Sequence, residues 1–295
     1  MSAGGKLAVP LATTEILASL AQHRVLSTPQ IGAIHFPERS QRWVQMAMAR
    51  LGEAGLAVFV ASGARRAPRR LWFVTERGAQ AALDAGLLEK MPRLLDPATV
   101  VGPLQRHTAA VNDAAISFLR AARERDDEFG PLSWRHEVPH RLGQGRRAGT
   151  LFADAVLTYV RLTAAEVVVE QRFLELDRAT LSVDRLAAEL ARYARLLDAR
   201  GKRGESLWRA QYPDFPAVLC VLAGADRAAL RRRRDTAVAL LQSNLAFEGS
   251  LELSVRFCLA EDLAERGPFE PIFTDAREPE EPVDWLVADT AEGDG

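Results

Sequence analysis

Apolar positions first recur at helical spacing at Ile16, Leu17, Leu20 and Ala21, with Thr13 or Thr14 placed to cap the helix and His23 and Arg24 near its end. A second, shorter helix is signalled by a hydroxyl cap at Ser27 or Thr28, Pro29 in the first turn, and Ile31 and Ile34 pointing inward. After a turn at Phe36 and Pro37, Ser40 opens a third helix whose apolar line is Val44, Ala47, Met48 and Leu51. Gln41, Arg42 and Gln45 lie on its other face. Past Gly52 and Gly55, two strand-like runs, 56–60 and 71–74, flank a loop loaded with Arg65, Arg66, Arg69 and Arg70, and Thr75 with Glu76 restarts a helix through Leu83.

Pro92, Pro97 and Pro103 then punctuate a linker over 91–103. Beyond it the pattern predicts a helix with Val111, Ile116 and Leu119 inward, ending near Asp126, and a strand at 134–138. A loop rich in Gly and Arg follows over 141–149, then strands around Asp154 and Glu175. An amphipathic helix over 183–197, a strand over 217–222, a helix over 227–241 with Arg231, Arg232, Arg233 and Arg234 on it, and a strand over 251–258 complete the order α-β-β-β-α-β-α-β. That order predicts an α/β sandwich built on a mixed sheet. From 268 onward Pro, Glu and Asp dominate, so 268–295 is expected to be an acidic, disordered tail, with Trp285, Leu286 and Val287 its apolar patch.

At 295 residues, nearly half of them hydrophobic, the chain has enough apolar surface for two cores. No run approaches the roughly eighteen apolar residues that a membrane span requires, and the start of the chain has no secretory pattern, so no membrane partner and a cytoplasmic location are expected. Cys220 and Cys258 sit far apart in apolar runs and read as buried free thiols. The net charge of −1 conceals a basic segment over 1–90 and an acidic one from Glu261 on. A basic head points to a polyanionic partner.

Three helices followed by a hairpin with an arginine-loaded tip is the order of a winged helix-turn-helix. In that geometry the third helix enters the major groove of double-stranded DNA and the basic loop meets the backbone or minor groove. The candidate DNA-binding residues are therefore Arg39, Gln41, Arg42 and Gln45 on the reading helix and Arg65, Arg66, Arg69 and Arg70 on the loop. In the second half, Glu175 and Asp177 alternate on one face of a strand and Asp154 lies on the preceding one. Pairing of those strands would gather three carboxylates at one sheet edge, a donor set that suits Mg²⁺. The same alternation also fits the solvent face of an edge strand, with Arg178 as an ion-pair partner. No phosphate-binding glycine loop, dinucleotide fingerprint or nucleophile elbow occurs.

The winged-helix head, His107 with Val111, Asn112 and Asp113, the runs 134–137, 153–156 and 174–180, and the helix ending in Tyr193 together resemble the replication-relaxation family over roughly residues 12–240. The resemblance implies a DNA-binding protein of a plasmid or other mobile element, acting in replication, DNA relaxation or transfer. Replication or transfer proteins and a homodimer stand as further partners. The second half also resembles the core of the PD-(D/E)XK nucleases, which implies a restriction-endonuclease-like fold with Asp154 as the first acid and Glu175 as the second. Asp177 stands where that pattern has lysine and Ala153 where it has proline. The expected fold class is α+β: a winged helix-turn-helix over 1–90, a linker over 91–103, a nuclease-like domain over 104–267 that is inactive or weak, and the tail. Two other readings stay open. One is a metal-dependent endonuclease or nickase using Asp154, Glu175 and Asp177; the other is a winged-helix transcriptional regulator with a dimerisation or sensing domain.

Overall fold

A computed structural model of the chain describes residues 11–62, 69–95, 102–145 and 148–286. Two compact units divide at Asn112 and Asp113. No helix among the described residues is long and apolar enough to cross a membrane.

The first unit runs α1 (Leu11–His23), β1 (Leu26–Ser27), α2 (Thr28–His35), α3 (Gln41–Glu53), β2 (Ala57–Ser62), β3 (Arg69–Val74) and α4 (Glu76–Asp84). The first helix starts ahead of the threonines expected to cap it, and Thr14 is buried within it. Ser27 makes a reciprocal cap with Gln30: its hydroxyl accepts the Gln30 amide at 3.4 Å while the Gln30 side chain accepts the Ser27 amide at 2.8 Å. The hairpin β2–β3 and the short β1 form an antiparallel sheet of order β1-β3-β2. Trp72, fully buried on β3, donates its indole N–H to Thr28 Oγ1 at 3.0 Å and so ties the sheet to α2. At Gly78 any Cβ would lie 2.0 Å from the Leu56 carbonyl oxygen, so only glycine lets α4 pack this close to the start of β2. Of the expected linker, Leu95 packs on Val25, Leu71 and Phe73, and 96–101 lie outside the described residues.

The next helix, α5 (Pro103–Arg125), contains the division between the units. Then follow β4 (Trp134–Arg141), β5 (Thr150–Leu162), β6 (Val167–Asp177), α6 (Val183–Leu197), β7 (Ala217–Leu222), α7 (Arg227–Gln242), α8 (Leu245–Glu248), β8 (Val255–Leu259), α9 (Ala260–Arg266) and β9 (Thr274–Asp275). They build one mixed six-stranded sheet in the order β4-β5-β6-β7-β8-β9. Strands β4, β5 and β6 follow one another without an intervening helix and pair antiparallel, whereas the helical crossovers through α6 and α7 make β6, β7 and β8 parallel. Helices α6 and α7 cover a core that includes Phe173, Leu190, Tyr193, Val218, Val238 and Phe257. Strand β8 starts later than the expected 251–258 and is shorter, and Leu251 is exposed.

Two expectations change here. The strand carrying Glu175 and Asp177 is interior to the sheet, because the crossover through α6 returns β7 to its free side. The stretch 268–286 is folded onto the second unit: β9 pairs with β8, and Phe273 and Val283 exchange backbone hydrogen bonds at 2.9 and 2.8 Å. Trp285 is fully buried against Phe118, Tyr159 and Phe269. Burial of Phe273 and Trp285 outweighs the charge around them. The rest of the acidic segment, 287–295, lies outside the described residues.

Candidate functional site

Helix α3 begins at Ser40, whose hydroxyl accepts the Trp43 amide at 3.3 Å. Val44, Met48 and Leu51 face the core, which turns Gln41, Arg42 and Gln45 to solvent with Arg39 exposed just before them. Sequence reading passed over Trp43 and Met46, which are 39% and 51% exposed on the same helix. Trp43 packs edge-on against Phe36 at 4.7 Å, and the Arg39 guanidinium lies over its ring at 5.4 Å. Arg69 and Arg70, expected on the loop, are instead the first residues of β3 at the loop end of the hairpin, where both are exposed and Arg70 lies over Phe59 at 4.7 Å. Arg65 and Arg66 lie outside the described residues, as do Arg146 and Arg147.

In the second unit, β5 and β6 pair as a hairpin through Ala155–Leu174, and the ladder stops there. One residue on, the Asp154 carboxylate accepts the Leu176 amide at 2.8 Å in place of a backbone bond. The other side of β5 is also interrupted: its pairing with β4 passes from His136–Ala155 to Val138–Ala153, and Glu137 between them takes a left-handed φ of 47°. Half-buried Glu175 accepts a hydrogen bond from the Tyr193 hydroxyl at 2.5 Å. Burial, reinforced by the Asp154 charge, holds the Glu175 carboxyl well above the usual carboxylate range. Burial and the Glu175 charge likewise push the Tyr193 hydroxyl up, so this tyrosine is a packed hydrogen-bond donor against Phe173.

Asp177 goes elsewhere. Both its oxygens accept from the Arg233 guanidinium on α7, one of them from Nη2 at 3.1 Å, and its Oδ1 also accepts the Ala179 amide at 3.1 Å. The loop behind it is fixed by Gly224, where a Cβ would come within 2.4 Å of the Arg178 carbonyl oxygen. Asp154 and Glu175 thus lie near enough for their charges to interact, whereas Asp177 is held by Arg233. Arg233 stands in a run that reads from sequence as a solvated helix face; its spacing, three residues after Leu230 and four before Ala237, puts it beside the buried side of α7 and is the signal that could have singled it out.

A family model described as replication-relaxation matches residues 17–206, more than half of the chain. The chain belongs to the replication-relaxation family. No curated protein and no solved structure matches it. The replication-relaxation match takes in α2, α3, the β4–β6 meander and α6, and it ends before β7, so Arg233 and Trp285 lie beyond it. Within this replication-relaxation chain the residues do not assemble the three-carboxylate set that Mg²⁺ would use. Asp154 and Glu175 have each committed an oxygen, Asp177 is engaged by Arg233, and no group of three His, Cys, Asp or Glu is placed to hold a metal ion among the described residues.

Proposed function

We propose that this protein binds double-stranded DNA on a plasmid or other mobile element, in replication, relaxation or transfer, through a winged helix-turn-helix. Its second unit is then a nuclease-like scaffold that does not cut efficiently. The observation that carries the first part is the exposed face of α3, where Arg39, Gln41, Arg42 and Gln45 all reach solvent around a capped N-terminus. Arg and Gln offer the donor and acceptor geometry for guanine and adenine edges, and an N-terminal helical turn is where such a motif meets bases. Arg69 and Arg70, exposed at the loop end of the hairpin, suit phosphate contacts.

The nuclease-like part is supported by Asp154 and Glu175, which sit on the second and third strands of the sheet where the ladder opens. Efficient hydrolysis would need a cation beside the attacking water to stabilise the developing phosphate charge. The third strand offers no lysine, and Arg233 is spent on Asp177.

The test is anisotropy of the full chain with duplex DNA between about 50 and 200 mM salt, where phosphate-driven binding loses affinity steeply. Arg42→Ala should relax sequence preference by about 1–3 kcal/mol at one position, whereas Arg69→Ala with Arg70→Ala should weaken binding to all sequences and flatten the salt dependence. Absence of salt-dependent binding at low ionic strength sinks the reading. Supercoiled DNA should stay intact with Mg²⁺ or Mn²⁺; cleavage that disappears in Asp154→Ala would make the protein a metal-dependent nuclease instead.

A further inference from the structure

Reading by Arg42 and Gln45 leaves the most exposed apolar side chain of α3 without a task. At about 100° per residue, Arg42, Met46 and Ala49 follow one another along the side opposite Val44, Met48 and Leu51, with Gln45 and Arg50 on the two flanks. Met46, 51% exposed, therefore sits in the middle of this outward strip. The strip is ringed by exposed Arg39, Arg42 and Arg50, while Glu38 and Glu53 lie beyond its two ends, so its charge favours a polyanion. Trp43, the other exposed apolar group, is braced at the side between Phe36 and Arg39. Met46 is an unbranched apolar side chain that stands half in solvent one turn past Arg42.

We infer that Met46 is a specificity-determining residue that meets the C5-methyl of a thymine in the major groove, beside the bases read by Arg42 and Gln45. This rests on the DNA-binding reading above. The thymine methyl is the one apolar group on the major-groove base edges, and an unbranched thioether can settle on it without a fixed angle. The contact selects thymine over cytosine by apolar burial, which the hydrogen-bonding side chains beside it do not supply.

The experiment selects a preferred duplex from a random pool with the full chain, then replaces each thymine of that duplex in turn with uracil, which removes the methyl alone. Wild-type binding should weaken about four-fold at one position, the equivalent of about 0.8 kcal/mol for one methyl group. Met46→Ala should bind thymine and uracil duplexes equally with an unchanged salt slope, and Met46→Leu should restore the discrimination. Because Met46 is exposed, the thermal midpoint of Met46→Ala should match wild type. A flat uracil series in wild type, as expected if the strip serves a protein partner, overturns the inference, and so does a uracil penalty that survives in Met46→Ala. Failure to bind duplex DNA at all overturns the DNA reading itself and this inference with it.

Discussion

The guanidinium of Arg233 and the carboxylate of Asp177 are both nearly enclosed, with side chains 13% and 7% exposed. Removing one partner leaves a buried charge unpaired, so Arg233→Ala should cost about 3–5 kcal/mol in urea unfolding, while Arg233→Met combined with Asp177→Leu should recover most of it. A cost below about 1 kcal/mol would mean that water screens the pair. Two other groups make stability depend on pH with opposite signs. Glu175 titrates higher folded than unfolded, so its contribution is complete below the unfolded pKa of about 4.3 and is lost as pH rises through the folded value. His140, buried beside Phe173 with its Nε2 at 2.7 Å from the Tyr212 hydroxyl, is lowered by burial to about 4. Its contribution is complete above about 6.5 and is lost as pH falls through about 4. Glu175→Gln keeps an acceptor for Tyr193 and removes the first slope. Between about pH 4.5 and 6.5 its stability should therefore rise with pH more steeply than that of wild type. Superimposable profiles would show that the carboxyl titrates as it does in the unfolded chain.

At the scale of elements, local chemistry sets where helices begin. Ser27 with Gln30, Ser40 with Trp43, and Ser182 with Arg185 each place a hydroxyl on an amide of the first turn. These starts are legible in sequence because a cap and its target lie within three residues. The cap at Ser40 also orders the turn bearing Gln41 and Arg42. Ser40→Ala should cost about 1 kcal/mol of stability. It should also lower affinity for the preferred duplex more than for an unrelated one, as read by paired anisotropy titrations. Equal losses on both duplexes would detach the cap from base reading. The break in the β5–β6 ladder belongs to this scale too, but alternation does not reveal it. Strand patterning says which face a residue takes, not where a side chain such as Asp154 replaces a backbone acceptor.

At the scale of the whole molecule, the second unit is completed by chain that composition assigns to solvent. Trp285 closes an aromatic cluster of Phe118, Tyr159 and Phe269, with the Arg172 guanidinium 5.2 Å from the centre of its ring. Trp285→Ala should cost about 3–5 kcal/mol, and truncation after Gly267 should destabilise the second unit further, both measurable by chemical denaturation. A tail that could be removed without effect on the transition would contradict this packing.

The sequence by itself determined what is written within a turn of helix or a pair of strand residues. It placed the caps at Ser27, Ser40 and Thr75, the amphipathic α6, the β2–β3 hairpin and the order of the larger elements from α5 to β8. It also showed that Gln41, Arg42 and Gln45 share the outward face of α3, because helical period and burial of Val44, Met48 and Leu51 fix that face. The partners of the carboxylates were decided only by the tertiary structure. Asp177 and Arg233 are 56 residues apart, and Tyr193 reaches Glu175 across 18. Whether β6 was an edge depended on the return of β7, and whether Trp285 was buried depended on a cavity lined by α5 and β5. Burial and ion pairing are properties of the surfaces that distant segments bring together, and a local pattern of apolar and charged residues carries no information about which segment that will be.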